Sequence, residues 1–269
     1  IVVVDDGSTD RTYEIITKLK REKPSLRIFK HRSAGYVEPA RNFAISKATS
    51  EWILILDADE ALPESLVKRL TEIATEMKRV DFVRIPRKNL IFGHWMQASL
   101  WWPDYNIRFF KKGKVTWLNK IHRPPETSGE GLDLPVEEKY AIIHQNYVTI
   151  SQFLARMDRY TTIQAKELKQ EGYKFFWSDL FEKPLSEFLS RFFANSGYKD
   201  GIHGLALSFL QAFSFLVMYL KLWEIDKFRK EDINLLDLEN QKNRSSEAIN
   251  YWMKKTGHQG NFFKKFFGK

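Results

Sequence analysis

The sequence predicts an α/β fold with a mostly parallel sheet, and two apolar runs carry this prediction. Residues 1–4 are apolar and lead directly into an acidic turn, and residues 52–56 repeat the pattern. Continuous apolar runs of this length are typical of parallel strands that are buried on both faces. Helical stretches alternate with the strands, as they do in α/β folds. Because ligands bind at the carboxyl ends of strands in such sheets, both acidic turns are candidate sites.

The remaining elements follow in chain order. Predicted helices cover residues 11–22, 40–48, 64–77 and 151–171. Predicted strands cover residues 26–29, 82–85 and 141–144. Residues 106–110 and 114–117 are expected to pair as a hairpin through the turn at Lys112 and Gly113. The chain starts inside a strand without a methionine, so we expect at least one preceding element to be absent.

The composition excludes several classes of protein. Hydrophobic residues make up 43% of the 269 residues, which permits a sizeable core and excludes wholesale disorder. The sequence contains no cysteine, so it holds no disulfide scaffold, thiolate zinc site or cysteine nucleophile. The net charge of +9 favours anionic partners, which include nucleic acid, nucleotide phosphates and anionic membrane surfaces.

The C-terminal third has a different character. Residues 185–193 carry an apolar helical stripe with basic flanks, residues 202–220 lack formal charge, and the tail interleaves phenylalanines with lysines. A bilayer span needs roughly 20 apolar residues, but His203 and Gln211 make a span costly here. We therefore expect a helical region at residues 149–269 that attaches peripherally to an anionic membrane surface. The alternative is a helical hairpin packed on the preceding domain, residues 1–148.

The two acidic turns carry the chemistry. Asp57 and Asp59 follow the second apolar run, and carboxylates at this spacing can share Mg²⁺ or Mn²⁺. Such a cation would neutralise a diphosphate leaving group. Asp5 and Asp6 follow the first run, where a carboxylate can accept a hydrogen bond from a nucleoside. A capped or solvated turn would explain either pair, and two carboxylates also occur in glycosidases, although their closeness here favours a shared metal.

Three motifs, residues 3–12, 40–45 and 53–60, are similar in order and spacing to glycosyltransferase family 2. The resemblance covers about residues 1–145 and implies a GT-A fold, which is a Rossmann-like, mostly parallel sheet flanked by helices. Further motifs resemble the bacterial lipopolysaccharide-core β-1,4-glucosyltransferase-like branch: residues 102–111, 121–122, 144–147, 159–161 and 199–201. In that branch a glutamate usually follows His122, whereas this chain has Arg123.

The resemblance implies roles for individual residues. Donor binding is expected at Asp5, Asp6, Arg41, Asn42 and Asp57. A divalent metal, Mg²⁺ or Mn²⁺, is expected at Asp59, Asp57 and His144, with a structural histidine as the alternative for His144. Inverting transfer also needs one general base near the acceptor hydroxyl. The candidates, in order, are Asp104, His122 and Glu126, and a plain turn carboxylate is the alternative for Asp104.

These expectations combine into a metal-dependent inverting glycosyltransferase at the cytoplasmic face of the bacterial inner membrane. It would move a hexose from a nucleotide-sugar, such as UDP-glucose, to a lipid-linked glycan, as in lipopolysaccharide core synthesis. The alternative is a non-catalytic membrane adaptor with a degenerate transferase domain. Nucleic acid is not an expected partner, because the lysines gather with phenylalanines in the tail and not along a sheet or recognition helix.

Overall fold

A computed structural model describes residues 1–33, 35–118 and 124–256. Within these ranges the strands are β1 (Val2–Asp5), β2 (Arg27–Lys30), β3 (Trp52–Leu54), β4 (Glu60–Ala61), β5 (Val80–Ile91), β6 (His94–Trp95), β7 (Asp104–Lys111), β8 (Val115–Thr116), β9 (Glu126–Thr127), β10 (Glu130–Asp133) and β11 (Ile142–Tyr147). The α-helices are α1 (Thr12–Glu22), α2 (Glu38–Lys47), α3 (Glu64–Glu76), α4 (Ile150–Gln170), α5 (Asp179–Leu189), α6 (Gly201–Ile225) and α7 (Leu235–Lys255). The predicted helices and most predicted strands are confirmed, with ends shifted by a few residues.

The chain folds into two compact units. The first comprises Ile1–Arg87 and Tyr105–His144, and the second comprises Lys88–Asp104 and the described chain from Gln145 onwards. The sequence indicated a boundary near residue 148 and did not indicate that Lys88–Asp104 joins the C-terminal part. Burial explains the difference, because Ile91 and Met96 in this segment pack with Phe153 and Leu207 of the second unit.

The sheets are mixed, and the predicted α/β class is confirmed. β1 and β2 form a parallel pair, while a larger sheet has the order β3-β7-β5-β11-β4, with β6 and β10 also paired to β5. β10 pairs with β5 in parallel, whereas β3–β7, β4–β11 and β5–β6 are antiparallel. The sheet is therefore less parallel than predicted. The apolar run at residues 52–56 lies on the sheet edge and is buried on one face only, because Ile53 is buried whereas Leu54 and Leu56 are exposed.

The predicted hairpin at Lys112 and Gly113 is wrong. The chain does turn there, and Gly113 has a φ of 84°, a left-handed conformation that glycine adopts readily. However, β7 lies between β3 and β5, and β8 pairs with β9. Both edges of β7 are therefore occupied, and no edge is left for β8.

Each unit has its own apolar clusters. In the first unit, Leu66, Leu70 and Ile73 form one face of α3 and pack on Val83 and Ile85 of β5. A second cluster joins β3, β7, β8 and the residue after β8, through Ile53, Phe110, Val115 and Trp117. In the second unit, α6 packs against α4 and α5. The strand that precedes the acidic residues 57 and 59 is thus anchored on one face by a buried cluster.

Candidate active site

Asp57 follows β3 and is held by two arginines. Arg41 Nη2, from α2, donates to Asp57 Oδ2 at 2.7 Å, and Arg108 Nη2, from β7, donates to the same oxygen at 2.6 Å. The antiparallel pairing of β3 with β7 places Arg108 there, since Ile55 N donates to Arg108 O at 2.8 Å. Burial alone would raise the pKa of Asp57, but the two guanidinium charges outweigh it and hold this pKa below its ordinary value. Asp57 is therefore an ionised, doubly paired carboxylate.

Glu60 is a second buried carboxylate, which the sequence prediction missed. Its side chain is fully buried and accepts hydrogen bonds from Arg108 Nη2 at 2.7 Å and Arg87 Nη1 at 3.2 Å. Its other oxygen accepts from Asp57 N at 3.0 Å. Such partners compensate the cost of removing a carboxylate from water. The only local signal for these roles is that Glu60 and Arg108 lie inside the motifs at residues 53–60 and 102–111.

Asp59 lies beside His144. The antiparallel pairing of β4 with β11 brings His144 opposite Glu60, and His144 Nε2 lies 3.5 Å from Asp59 Oδ2. The side chain of Asp59 is 38% exposed, whereas that of His144 is buried. Burial acts to raise the pKa of Asp59, but the hydrogen bond and charge of His144 lower it below its ordinary value. The structure therefore brings two of the three predicted metal-site residues together around an ionised, accessible carboxylate.

These residues fit a divalent metal only when other ligands complete its shell. Among the residues that the structure describes, no three His, Asp or Glu side chains form a group that could hold a metal ion. Asp57 Oδ2 already accepts from two guanidinium groups. Protein sites for Mg²⁺ often use one or two carboxylates together with water and substrate phosphates. Asp59, with His144 beside it, fits that pattern.

The two carboxylates of the first acidic turn have different surroundings. Asp5 is buried, and its Oδ1 accepts from Ser8 N at 3.1 Å, which stabilises the turn after β1. Asp6 Oδ1 lies 2.6 Å from His31 Nδ1, and the side chain of Asp6 stays partly exposed. The His31 ring packs on Phe43 with centroids 5.3 Å apart. His31 was missed from the sequence, because nothing local marks it.

Helix α2 contacts residues bound to both acidic turns. Arg41 reaches Asp57, and two residues later Phe43 packs on the histidine that pairs with Asp6. Two side chains of α2 thus contact the surroundings of Asp57 and of Asp6 separately.

A cavity of about 700 Å³ opens in the first unit beside Arg41. Its walls include four charged residues and three aromatic residues: Glu38, Arg41, Arg84, Asp133, Phe82, Tyr105 and Trp117. Asn42 does not line it but fixes one wall, because its Nδ2 donates to Trp117 O at 2.7 Å and its Oδ1 accepts from Trp117 N at 3.2 Å. Cavities of this volume are typical of small-molecule sites.

The three base candidates lie in different settings. Asp104 belongs to the second unit, and its Oδ2 accepts from Asn89 Nδ2 at 3.0 Å. Glu126 belongs to the first unit, where it is exposed on β9 opposite Thr116. His122 lies outside the described residues, as does the aromatic tail from residue 257. The choice of base stays a prediction.

Residues 1–128 match the family model described as Glycosyl transferase family 2. The chain carries a family 2 glycosyltransferase domain. The match includes both acidic turns, α2 and the arginine-bearing strand β7, while His144 lies beyond it. The resemblance carried by the three motifs is confirmed, and so is the prediction that the protein is a glycosyltransferase.

Relatives of this glycosyltransferase are found among bacterial proteins. An uncharacterized glycosyltransferase of Rickettsia typhi is 27% identical over 237 residues, which are 84% of this chain and 78% of the relative. The lipopolysaccharide core biosynthesis glycosyltransferase LpsC of Rhizobium meliloti is 23% identical over 206 residues, 76% of this chain and 75% of LpsC.

Solved structures also align with the glycosyltransferase. The mannosyltransferase PcManGT of Pyrobaculum calidifontis, in complex with GDP-Man and Mn²⁺, aligns over 96% of this chain and 74% of its own. The two share 14% sequence identity, with a TM-score of 0.41. A similarity at this level carries no information about the donor, metal or acceptor of the chain described above.

Proposed function

We propose that this glycosyltransferase moves a hexose from a uridine nucleotide-sugar, such as UDP-glucose, to a lipid-linked glycan of the cell envelope. The observation that carries the proposal is the placement of Arg41 between Asp57 and the cavity. A guanidinium group stays charged and matches phosphate oxygens with its forked N–H groups. Arg41 therefore suits the diphosphate of a nucleotide-sugar.

The uridine end of the donor is assigned to the first acidic turn. Asp6 is the accessible carboxylate there, and a carboxylate accepts hydrogen bonds from a uracil N3–H or a ribose hydroxyl. His31 holds Asp6 from one side at 2.6 Å, so the carboxylate needs little reorientation on binding. Asp5 supports the turn through its bond to Ser8 and is not expected to touch the donor.

The leaving diphosphate is assigned to the Asp59 end of the site. A divalent metal, Mg²⁺ or Mn²⁺, would neutralise the charge that develops on the departing nucleotide. Asp59 would hold it, with the His144 imidazole beside that carboxylate. Arg41 adds a fixed positive charge on the protein side. Such preorganised charges stabilise the transition state because they need not rearrange during the reaction.

The acceptor is assigned to the Trp-rich segment that contains Asp104. Asn89 Nδ2 donates to Asp104 Oδ2 at 3.0 Å and to Trp101 O at 3.0 Å, which orients the carboxylate. Trp95 and Trp102 are close to Asp104 in sequence. Their rings pack edge to face with centroids 5.2 Å apart, and they offer apolar faces for a sugar. Asp104 then removes the proton of the acceptor hydroxyl as that oxygen attacks the anomeric carbon, which inverts its configuration. The similarity to LpsC supports a lipopolysaccharide core acceptor.

Attachment to the cytoplasmic face of the inner membrane is assigned to helix α6. Gly197–Ile225 contains an 18-residue window with a mean hydropathy of 1.7, so by length and composition this segment is long and apolar enough to cross a membrane. However, α6 packs on α4, and Lys221 Nζ donates to Asp158 Oδ1 of α4 at 2.6 Å. The large apolar side chains that α6 leaves exposed are Ile202, Phe209, Phe213 and Leu220. We therefore favour peripheral attachment through this face over a membrane span.

A donor screen tests the proposal. The chain is incubated with individual uridine, guanosine and cytidine nucleotide-sugars, Mn²⁺ or Mg²⁺ and lipid-linked glycan acceptors, and the release of the nucleotide is measured. We expect release with at least one UDP-hexose, and its loss in Asp59→Asn. Release only from guanosine or cytidine nucleotide-sugars would overturn the uridine assignment. Full UDP release in the presence of EDTA would overturn the role of the metal.

A further inference from the structure

Arg108 is the buried centre of the charged network around Asp57. Its side chain is 3% exposed, and its Nη2 donates both to Asp57 Oδ2 at 2.6 Å and to Glu60 Oε1 at 2.7 Å. The Glu60 carboxylate is fully buried. Charges buried this deeply are tolerated only when they are paired with good geometry. The network therefore fixes the position of Arg108, and Arg108 in turn fixes Asp57.

The Asp57 oxygen that Arg108 binds is the one that also binds Arg41. Both guanidinium groups donate to Oδ2, at 2.6 and 2.7 Å. A divalent cation binds a carboxylate oxygen at roughly 2.0–2.6 Å, where it would meet two positive charges already in place. Asp57 Oδ2 is thus poorly suited to ligate a metal. The Asp59 carboxylate has the imidazole of His144 beside it, with His144 Nε2 3.5 Å from Asp59 Oδ2.

Arg41 retains a donor for a ligand. Its Nε is buried and has no hydrogen-bond partner within the described part of the chain. The residue also lines the cavity while its Nη2 is held by Asp57. The forked N–H groups of a guanidinium suit the oxygens of an anion that enters the cavity.

We propose that Asp57 is a positioning residue, clamped by Arg108, whose task is to hold Arg41 toward the diphosphate of the donor. Metal dependence then resides in Asp59 and not in Asp57. This inference rests on the proposed function, because it takes a nucleoside diphosphate as the ligand. It also makes Arg108 and Glu60 positioning residues, because they hold Asp57 and do not contact the donor themselves.

Binding of UDP to the chain, measured by calorimetry with EDTA and again with Mn²⁺, separates the two roles. Asp57→Asn and Arg41→Met should each weaken UDP binding in EDTA by about tenfold, because each removes the same charge-assisted contact. The double variant should be no weaker than Arg41→Met alone, within about twofold. Asp59→Asn should bind UDP normally in EDTA and lose the gain in affinity that Mn²⁺ brings.

Arg108→Lys provides a second variant that retains the buried charge. One ammonium group does not reproduce the guanidinium geometry toward both carboxylates. We expect weaker UDP binding in EDTA when Arg41 is present, and no further effect in the Arg41→Met background. Arg69→Met, which removes a surface arginine paired with Glu72 on α3, is the matched control and should bind UDP like the wild type. Thermal unfolding of each variant checks that it is folded.

The outcomes separate the inference from the proposed function. If Asp57→Asn keeps the EDTA affinity and loses the Mn²⁺ gain as Asp59→Asn does, Asp57 is a metal ligand and the inference is overturned. If Asp57→Asn and Arg41→Met weaken binding additively, Asp57 contacts the donor by itself and the inference also fails. If the wild type binds GDP and not UDP, the uridine assignment fails, and the same series with GDP tests the inference.

Discussion

Arg41 Nη2 and Asp57 Oδ2 lie 2.7 Å apart, which joins helix α2 to the end of strand β3. Arg41 also forms part of the cavity wall, so this ion pair connects the acidic motif with the space a ligand would enter. Asp57 alone would be a carboxylate at a strand end. Paired in this way, it holds the guanidinium group of Arg41 beside the cavity.

Asp59→Asn is expected to reduce UDP release by about 10²–10³-fold, because the variant loses the charge that holds the metal at the leaving diphosphate. Steady-state release of UDP from the best donor measures this. Asp237→Asn, in the first turn of α7, is the control and should be fully active. Activity of Asp59→Asn within about threefold of the wild type, less than the loss of one ordinary hydrogen bond, would contradict the role of Asp59.

Asp104→Asn is expected to lower sugar transfer by about 10²-fold or more while UDP binding stays unchanged, because a base contacts the acceptor proton and not the donor. Transfer to acceptor and UDP affinity are measured on the same preparation. Glu126→Gln is the parallel variant for the remaining described candidate. Normal transfer by Asp104→Asn, together with a large loss in His122→Ala, would move the role to His122.

Asp57 is expected to stabilise the folded protein in a pH-dependent way. Burial acts to raise its pKa but the arginine charges lower it, so its contribution is present above the ordinary carboxyl pKa and is lost as pH falls through the lower pKa of the folded state. The difference in free energy of unfolding between wild type and Asp57→Asn should be constant near neutral pH and shrink below about pH 4. Urea unfolding from pH 7 to pH 3 measures it. A difference that grows toward acid pH would contradict the ion pairs.

The exposed face of α6 is expected to bind anionic vesicles. The double variant Phe209→Ser and Phe213→Ser removes two of its large apolar side chains, so it should lose most flotation with anionic liposomes. High salt should weaken flotation of the wild type without abolishing it. Ile15→Ser, at an exposed apolar position on α1, is the control and should float normally. A wild-type chain that ignores anionic vesicles would contradict membrane attachment through α6.

Phe110→Ala is expected to destabilise the protein by about 3–5 kcal/mol, because its ring is fully buried between Ile53 and Trp117 and its loss leaves a cavity. Chemical denaturation measures the free energy of unfolding. Val67→Ala, exposed on α3, should change it by less than about 0.5 kcal/mol. Equal effects of the two substitutions would show that the cluster around Phe110 contributes little to stability.

Local pattern was enough to predict the alternating elements and the two acidic turns. Apolar runs precede Asp5 and Asp57, and Leu66, Leu70 and Ile73 have helical spacing. Both patterns involve residues that are close together in the sequence. Hydrophobic periodicity depends on positions a few residues apart, so it can be recognised without knowledge of the fold. The family resemblance followed from the same short segments.

Tertiary structure alone decided which residues complete the site. His31 lies 25 positions from Asp6, and Arg108 lies 51 positions from Asp57. No local spacing marks an arginine as the partner of a distant carboxylate, because many surface arginines have the same sequence context. For the same reason, the sequence did not predict which strands pair with β7 or that Lys88–Asp104 belongs to the second unit. Strand pairing and burial depend on contacts that only the folded chain makes. The sequence by itself was enough to identify the carboxylates of the candidate site, but not the residues that surround them.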